Sequence, residues 1–240
     1  MFRHTGERRS FAHNLRLAIL LCLNAGFINA AGFIAFAVLT TNVTGHAALL
    51  AINLATGQWR AARMVGLWLL LFLAGAFASS LYIGKVGRDK SFAYTAPIVV
   101  IILILLSVAG FGHDYQHTLP ETEYFAGSLL FAMGMQNALV SMVSGSVVRT
   151  THLTGMFTDL GIDLSAALLS YKNLTAAHQR RIWLRLAIIT FFLLGGLIGG
   201  FAFLKLRFTA FYVPVGLLLI TLFYDYFRIR VKRAVTHLKA

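Results

Sequence analysis

Residues 93 to 111 read AYTAPIVVIILILLSVAGF, a run without a single charged side chain. A helix needs about 20 apolar residues to cross the roughly 30 Å of hydrocarbon in a bilayer. Similar runs occupy 64 to 84, 183 to 204 and 208 to 227, and two longer runs with polar interruptions occupy 15 to 39 and 123 to 147. The ten-residue alternation of a transmembrane barrel is absent. The sequence therefore predicts an all-α membrane protein with about six transmembrane helices.

Composition supports a membrane protein and argues against a soluble one. Hydrophobic residues make up 58% of the 240-residue chain, and charged residues only 12%. The net charge of +13 comes from basic residues at the ends of the apolar runs, not along one face of a helix. Such a distribution is typical of membrane topology, so we expect lipid as the surrounding partner and no nucleic-acid partner. The single cysteine, Cys22, excludes an intramolecular disulfide.

The first 31 residues resemble a cleavable signal peptide, with a basic start, an apolar stretch and small residues. Apolar character nevertheless continues to Leu39, which is longer than a signal sequence requires. We therefore expect the first helix to be retained.

The chain contains an internal repeat. GFINA at 26 to 30 recurs as GMQNA at 134 to 138, and TTNVTG at 40 to 45 recurs as TTHLTG at 150 to 155. A helix rich in small residues follows each pair of motifs. We predict one membrane domain over 1–240, with repeats at 14–112 and 122–228 and a linker loop at 113–121. Three spans in each repeat would make the two copies inverted, as in many secondary transporters.

The segment opened by each TTxxTG motif is short. The first, 43 to 56, is too short to span, and the second, 153 to 170, is ambiguous. If neither crosses the membrane, all but four of the 21 lysines and arginines share one side, the exceptions being Arg60, Arg63, Lys205 and Arg207. The positive-inside rule favours this arrangement, with two broken or re-entrant helices and with both termini in the cytoplasm. We expect a multi-pass protein of the bacterial cytoplasmic (inner) membrane.

The repeated motifs are the best candidates for a solute site. Threonine and glycine suit a helix break, and a half-helix that starts inside the membrane would aim its free N–H groups at a cavity. The alternative is that these residues only let helices pack closely. The candidate substrate-binding residues are Asn29, Thr40, Thr41, Asn42, Thr44, Gly45, His46, Asn137, Arg149, Thr150, Thr151, His152, Thr154 and Gly155.

Asp159 and Asp163 are the candidate coupling residues. Four apart on a helix, they share one face of an apolar segment, where carboxylates need water, a partner or a proton. A carboxyl pair that shares a proton suits proton or cation coupling. The alternative is structural: Arg149 pairs with one of them and locks the bundle.

Enzymatic, metal and cofactor chemistry are not expected. The chain has no GxSxG, HExxH, P-loop or strand-linked GxGxxG motif. A triad of Ser144, His152 and Asp159 would have only generic spacing, and the histidines offer too few ligands for a metal. The glycine pairs at 195/199 and 196/200 indicate tight packing within the monomer, or a homodimer through this helix.

Three stretches resemble the YoaK or DUF1275 family of bacterial membrane proteins: GFINAAGF at 26 to 33, TTNVTGHAALLAINLA at 40 to 55 and VVRTTHLTGMFTDLGIDL at 147 to 164. The resemblance runs from about 14 to 230. It implies about six spans and no established activity. In the family pattern an acidic residue is common where Asn29 stands, and asparagine is common where His46 stands, so this chain departs from the pattern at two titratable positions.

The sequence predicts a small secondary transporter or channel for a small polar or anionic solute, coupled to protons or cations. The alternative is a non-transporting membrane scaffold or sensor whose polar residues only hold helices together.

Overall fold

The computed structural model describes residues 10–88, 90–169 and 175–223, and these residues form helices and turns without a strand. The predicted end of the second repeat, both chain termini and residue 170 lie outside the described residues. The helices are α1 (Phe11–Phe36), α2 (Val43–Ala55), α3 (Trp59–Val86), α4 (Thr95–Phe111), α5 (Leu119–Ser144), α6 (Leu153–Leu169), α7 (Ala176–Leu206) and α8, which occupies 212–223 of the described chain.

Five helical stretches among the described residues are long and apolar enough to cross a membrane. The fifth, Ala176–Phe223, has 48 residues but is not straight. In a straight helix Phe203 and Phe211 would be about 12 Å apart along the axis, yet their ring centroids lie 6.2 Å apart. The chain folds back at the 3-10 turn Arg207–Phe211, where Arg207 has a φ of 51°. The predicted all-α membrane fold is confirmed.

The two helices that carry the repeated GxxNA motif, α1 and α5, run antiparallel. Asn24 contacts Gln136 through a 2.7 Å hydrogen bond, and the rings of Phe36 and Phe125 stack with centroids 5.6 Å apart. Residue numbers therefore rise along α1 as they fall along α5. Gly26 and its equivalent Gly134 lie at the same level, and this level is the centre of the pair.

Each half packs mainly against the other half. A Cβ added to Gly26 in α1 would meet the carbonyl oxygen of Phe192 in α7, and one added to Gly134 in α5 would meet that of Phe72 in α3. Because equivalent residues make equivalent contacts, the two halves are related by an approximate two-fold axis at the level of Gly26.

Glycines on α3 and α7 complete this matched set. A Cβ on Gly75 would meet the Phe131 carbonyl, and one on Gly195 would meet the Leu23 carbonyl. In each packed pair, residues later in one helix contact residues later in the other. Helix α7 is therefore parallel to α1, and α3 is parallel to α5. Gly195 and Gly199 thus face α1 in the monomer. A homodimer through α7 remains a prediction, and it would have to use another face.

The two short helices are re-entrant. Both long helices end in a left-handed residue at equivalent positions, Ala37 with φ 57° and Gly145 with φ 62°. After Ala37 the chain folds back until Thr41 reaches Asn29, near the centre of α1. Helix α2 then resumes the direction of α1 and rises only about 20 Å.

The second half repeats this path. After Gly145 the chain returns to the level of Asn137, where His152 lies beside it, and α6 then runs antiparallel to α7. Since α7 is parallel to α1, α6 continues in the direction of α5. Since each begins near the centre of the bundle, neither α2 nor α6, which is described to Leu169, spans it, and the second short segment is re-entrant over its described residues.

The basic residues follow the six-span arrangement. Within the described ranges, the end of the bundle where α1 begins carries Arg16, Lys85, Arg88, Lys90, Arg180, Arg181 and Arg185, and Arg149 lies on the same side, between the end of α5 and the start of α6. The opposite end carries Arg60, Arg63, Lys205 and Arg207. The charge asymmetry predicted for non-crossing short helices is therefore present in the fold.

Candidate functional site

The start of α2 is tied to the middle of α1. The side-chain oxygen of Asn29 accepts hydrogen bonds from the backbone N–H and the hydroxyl of Thr41, at 3.1 and 3.0 Å. Asn42 then caps α2, because its side-chain oxygen accepts the N–H of Gly45 at 3.0 Å. Asn29 thus fixes the end of the segment that returns from Ala37, at the point where α2 begins.

The start of α6 is held in a similar way by the equivalent asparagine of α5. The amide nitrogen of Asn137 lies 3.4 Å from Nε2 of His152, directly before α6. The carbonyl oxygen of Asn137 is buried and has no hydrogen-bond partner in the described chain. The side-chain oxygen of Asn137 therefore lacks the donor that Thr41 provides to the equivalent oxygen of Asn29.

The first threonine of each motif is fully buried. Thr40 and Thr150 are both 0% exposed, and neither hydroxyl has a hydrogen-bond partner among the described residues. A buried hydroxyl without a partner is costly, by roughly 1 to 3 kcal/mol. Its occurrence at two equivalent positions is more consistent with a ligand or water contact than with packing alone.

The two half-helix starts lie close to the same level and on the same side of the bundle. Asn29 and Asn137 are each about 4 to 5 Å from the central level, on opposite sides of it. A two-fold axis that relates two adjacent antiparallel helices stands perpendicular to the plane that contains them. Equivalent residues such as Asn29 and Asn137 therefore lie on one side of that plane.

The structure thus brings most of the predicted binding residues into two groups around this centre. The first group, at the start of α2, contains Asn29, Thr40, Thr41, Asn42, Thr44 and Gly45. The second, at the start of α6, contains Asn137, Thr150, Thr151, His152, Thr154 and Gly155, with the exposed Arg149 directly before it. Among the described residues, no group of three His, Cys, Asp or Glu side chains could hold a metal ion.

Asp159 and Asp163 lie apart from these groups, in an ion-pair cluster between α6 and α7. Arg185 pairs with Asp163 and, at 3.4 Å, with Asp159. Arg181 also approaches Asp163, with its Nε 3.8 Å from a carboxylate oxygen. The ion pair with Arg149 that the sequence suggested is wrong, because arginines of α7 pair with both carboxylates.

The depth of this cluster also differs from the expectation. Gly196 packs at the level of Gly26, and α7 rises about 16 Å between Arg185 and Gly196. Half the hydrocarbon thickness is about 15 Å. The carboxylates therefore lie near the edge of the apolar layer when the two-fold axis is at the bilayer midplane, as it is in inverted repeats.

Residues 17–224 match a family described as protein of unknown function, DUF1275. The chain belongs to the DUF1275 family. No curated protein and no solved structure matches it. Membership confirms the resemblance carried by the three stretches quoted above, and it brings no activity with it.

His46 of this DUF1275 protein lies in the first turn of α2, but its ring faces α3. It is 4% exposed and packs against α3, with its ring centroid 5.5 Å from that of Trp68. Neither His46 Nδ1 nor Trp68 Nε1 has a hydrogen-bond partner in the described ranges. The structure therefore places His46 in the contact between α2 and α3, and its role in binding remains a prediction.

The three residues of the imagined triad have separate partners in this DUF1275 protein. The Ser144 hydroxyl bonds to the backbone of Val148, whereas His152 bonds to Asn137. Asp159 pairs with an arginine of α7. The structure does not assemble these groups into a relay.

Two contacts near the site were not predicted from the sequence. Gln136 accepts a 2.7 Å hydrogen bond from Asn24 and donates a 2.9 Å bond to the Leu21 carbonyl, so this buried amide pair joins α1 to α5. Arg185 was counted only as a basic residue at a helix end. Its position inside the apolar run WLRLA was a usable signal, because an arginine there needs an acidic partner.

Proposed function

We propose that this protein is a small secondary transporter or channel of the bacterial cytoplasmic membrane, non-catalytic, with both termini in the cytoplasm. Its cargo is a small polar or anionic solute. The observation that carries the proposal is the pair of half-helices that begin near the centre of the bundle, on the same side of α1 and α5. Non-helical backbone at that depth is tolerated where it is buried in protein or lines a water-filled cavity.

The chemistry of the two starts suits an anion or a carboxylate. The first N–H groups of a helix lack intrahelical acceptors, and the helix dipole places partial positive charge there. The hydroxyls of Thr40 and Thr150 can each donate one further hydrogen bond. A solute between the starts would meet donors from both halves, an arrangement used by transporters with broken helices.

Coupling to protons would act through the ion-pair cluster. Asp163 is 5% exposed and pairs with Arg185, which joins α6 to α7. Protonation of the carboxylates would remove the attraction and release α6 from α7. In this proposal Asp159 and Asp163 control the movement of a half-helix without touching the solute.

The first test is a thermal-stability screen of the purified protein against small anions, amino acids, nucleobases and metals at two pH values. A ligand at 100 times its dissociation constant adds about 2.7 kcal/mol of stability. The variant Thr40→Val/Thr150→Val should lose the shift. The control Thr56→Val removes an exposed hydroxyl at the far end of α2 and should keep it.

The second test measures uptake of the identified solute into proteoliposomes. The variant Asp159→Asn/Asp163→Asn should fold, bind the solute and lose the pH dependence of uptake. Unchanged uptake in a folded variant would remove the carboxylates from the mechanism.

One observation favours the scaffold or sensor function instead: the ion pairs with Arg185 tie α6 firmly to α7. That function predicts no ligand shift in the screen. It also predicts that cysteines introduced at 40 to 47 and 150 to 160 do not react with thiol reagents from water.

A further inference from the structure

A groove runs along the outer surface of the bundle between the start of α1 and the first four turns of α7. It has a volume of about 720 Å³. Most of its lining is apolar, from residues such as Phe11, Leu15, Trp183 and Phe191. Gln179 and Arg180 lie at one end of it. The groove is therefore amphipathic along its length, with a cationic end and an apolar body.

The depth of the groove matches one leaflet of a bilayer. Between Arg180 and Gly196, which marks the central level, α7 rises about 24 Å, and between Thr190 and Gly196 about 9 Å. The hydrocarbon layer ends about 15 Å from the midplane, and the headgroup region extends to about 20 to 22 Å. Arg180 thus lies just beyond the headgroup region, from which its long side chain reaches a lipid phosphate, whereas Ala187, Thr190 and Phe191 lie at acyl-chain depth.

Arg180 is available for a ligand. Its neighbours on α7 are engaged, because Arg181 bonds to His178 and approaches Asp163, and Arg185 pairs with both carboxylates of α6. Among the described residues, Arg180 has no carboxylate partner, and its side chain is exposed. Trp183, 66% exposed, lies one turn away, where an indole ring suits the membrane interface.

We propose that this groove binds one anionic phospholipid of the surrounding bilayer. Arg180 and Gln179 hold the phosphate, the glycerol backbone lies beside Leu15 and Trp183, and an acyl chain lies along Ala187 and Phe191. Basic pockets between transmembrane helices recognise anionic headgroups in this way. The site is distinct from the centre formed by the half-helices and does not depend on the proposed transport.

The test is native mass spectrometry of the full-length protein in detergent with equal amounts of dioleoyl phosphatidylglycerol and dioleoyl phosphatidylcholine. One arginine near an anionic headgroup should favour the glycerol lipid by about fivefold. In Arg180→Gln the ratio should fall to about one. In the matched control Arg63→Gln, an exposed arginine at the opposite end of the bundle, it should stay unchanged.

A second variant tests the acyl-chain part of the groove. Ala187→Trp places a large ring in the apolar body and should abolish the retained lipid while thermal stability stays near that of the wild type. The proposal is overturned if Arg180→Gln keeps the full preference or if Arg63→Gln loses it equally. Retention of the glycerol lipid by Ala187→Trp would also overturn it.

Discussion

Gly195→Ala should destabilise the protein through a single methyl group. A Cβ at this position lies 2.9 Å from the Cα of Leu23, and the Leu23 carbonyl is closer still. Carbon atoms in good contact are about 3.5 to 4.0 Å apart, so α1 and α7 must separate by about 0.9 Å. The obstructing atoms are backbone and cannot rotate away. Overpacking of this kind costs about 1 to 3 kcal/mol.

Gly196→Ala is the matched control. Its Cβ would lie 3.7 Å from the nearest atom, an ordinary contact. Both changes gain the same helix propensity of about 1 kcal/mol, so their difference isolates the contact between α1 and α7. We expect Gly196→Ala to be neutral or stabilising and Gly195→Ala to be destabilising.

The native cysteine provides the assay. Cys22 is the only cysteine in the sequence. It is 0% exposed and immediately precedes Leu23. A thiol-reactive fluorogenic dye will therefore report the temperature at which α1 separates from its neighbours. In a chain of this size each kcal/mol shifts the midpoint by about 2 to 4 °C. If Gly195→Ala melts at or above the temperature of Gly196→Ala, the packing described for α7 is wrong.

Three further outcomes are expected. Gly75→Ala, the equivalent change in the first half, should also lower the melting temperature in the dye assay, and an increase would contradict the matched contacts. A double-mutant cycle of Asp163→Asn and Arg185→Gln should give a coupling of about 0.5 to 3 kcal/mol in thermal unfolding, whereas additive losses would show that the pair does not hold α6. Cysteines at Arg88 and Gln116, on a background without the native thiol, should react with an impermeant reagent from opposite sides, the first from the cytoplasm. Labelling of both from one side would exclude the six-span topology.

Local signals in the sequence were enough to predict the helices. Each long helix contains one of the apolar runs, and the short helix α2 was expected because 43 to 56 cannot span. The repeated TTxxTG motif also located the two half-helix starts. These features depend on residues that are close in the sequence, where periodicity and length carry the information.

Contacts between distant residues were not predictable in the same way. Asp163 could have paired with any of several arginines, and its choice of Arg185 depends on the direction of α6 beside α7. The pairing of Asn24 with Gln136 likewise depends on the level at which α1 and α5 cross. The depth of the carboxylates was misjudged because the sequence does not show how far the chain folds back before α6.

The packing of helices from one half against helices of the other affects the order in which the protein assembles during synthesis. Helix α1 leaves the ribosome first, but the surface that covers Gly26 belongs to α7, about 170 residues later in the chain. At 5 to 20 residues per second, synthesis of that interval takes about 10 to 30 s. Throughout it, the glycine face of α1 contacts lipid, the insertion machinery or another nascent helix. Truncation before α7 would thus leave an inserted but unpaired first helix, which quality-control proteases could recognise.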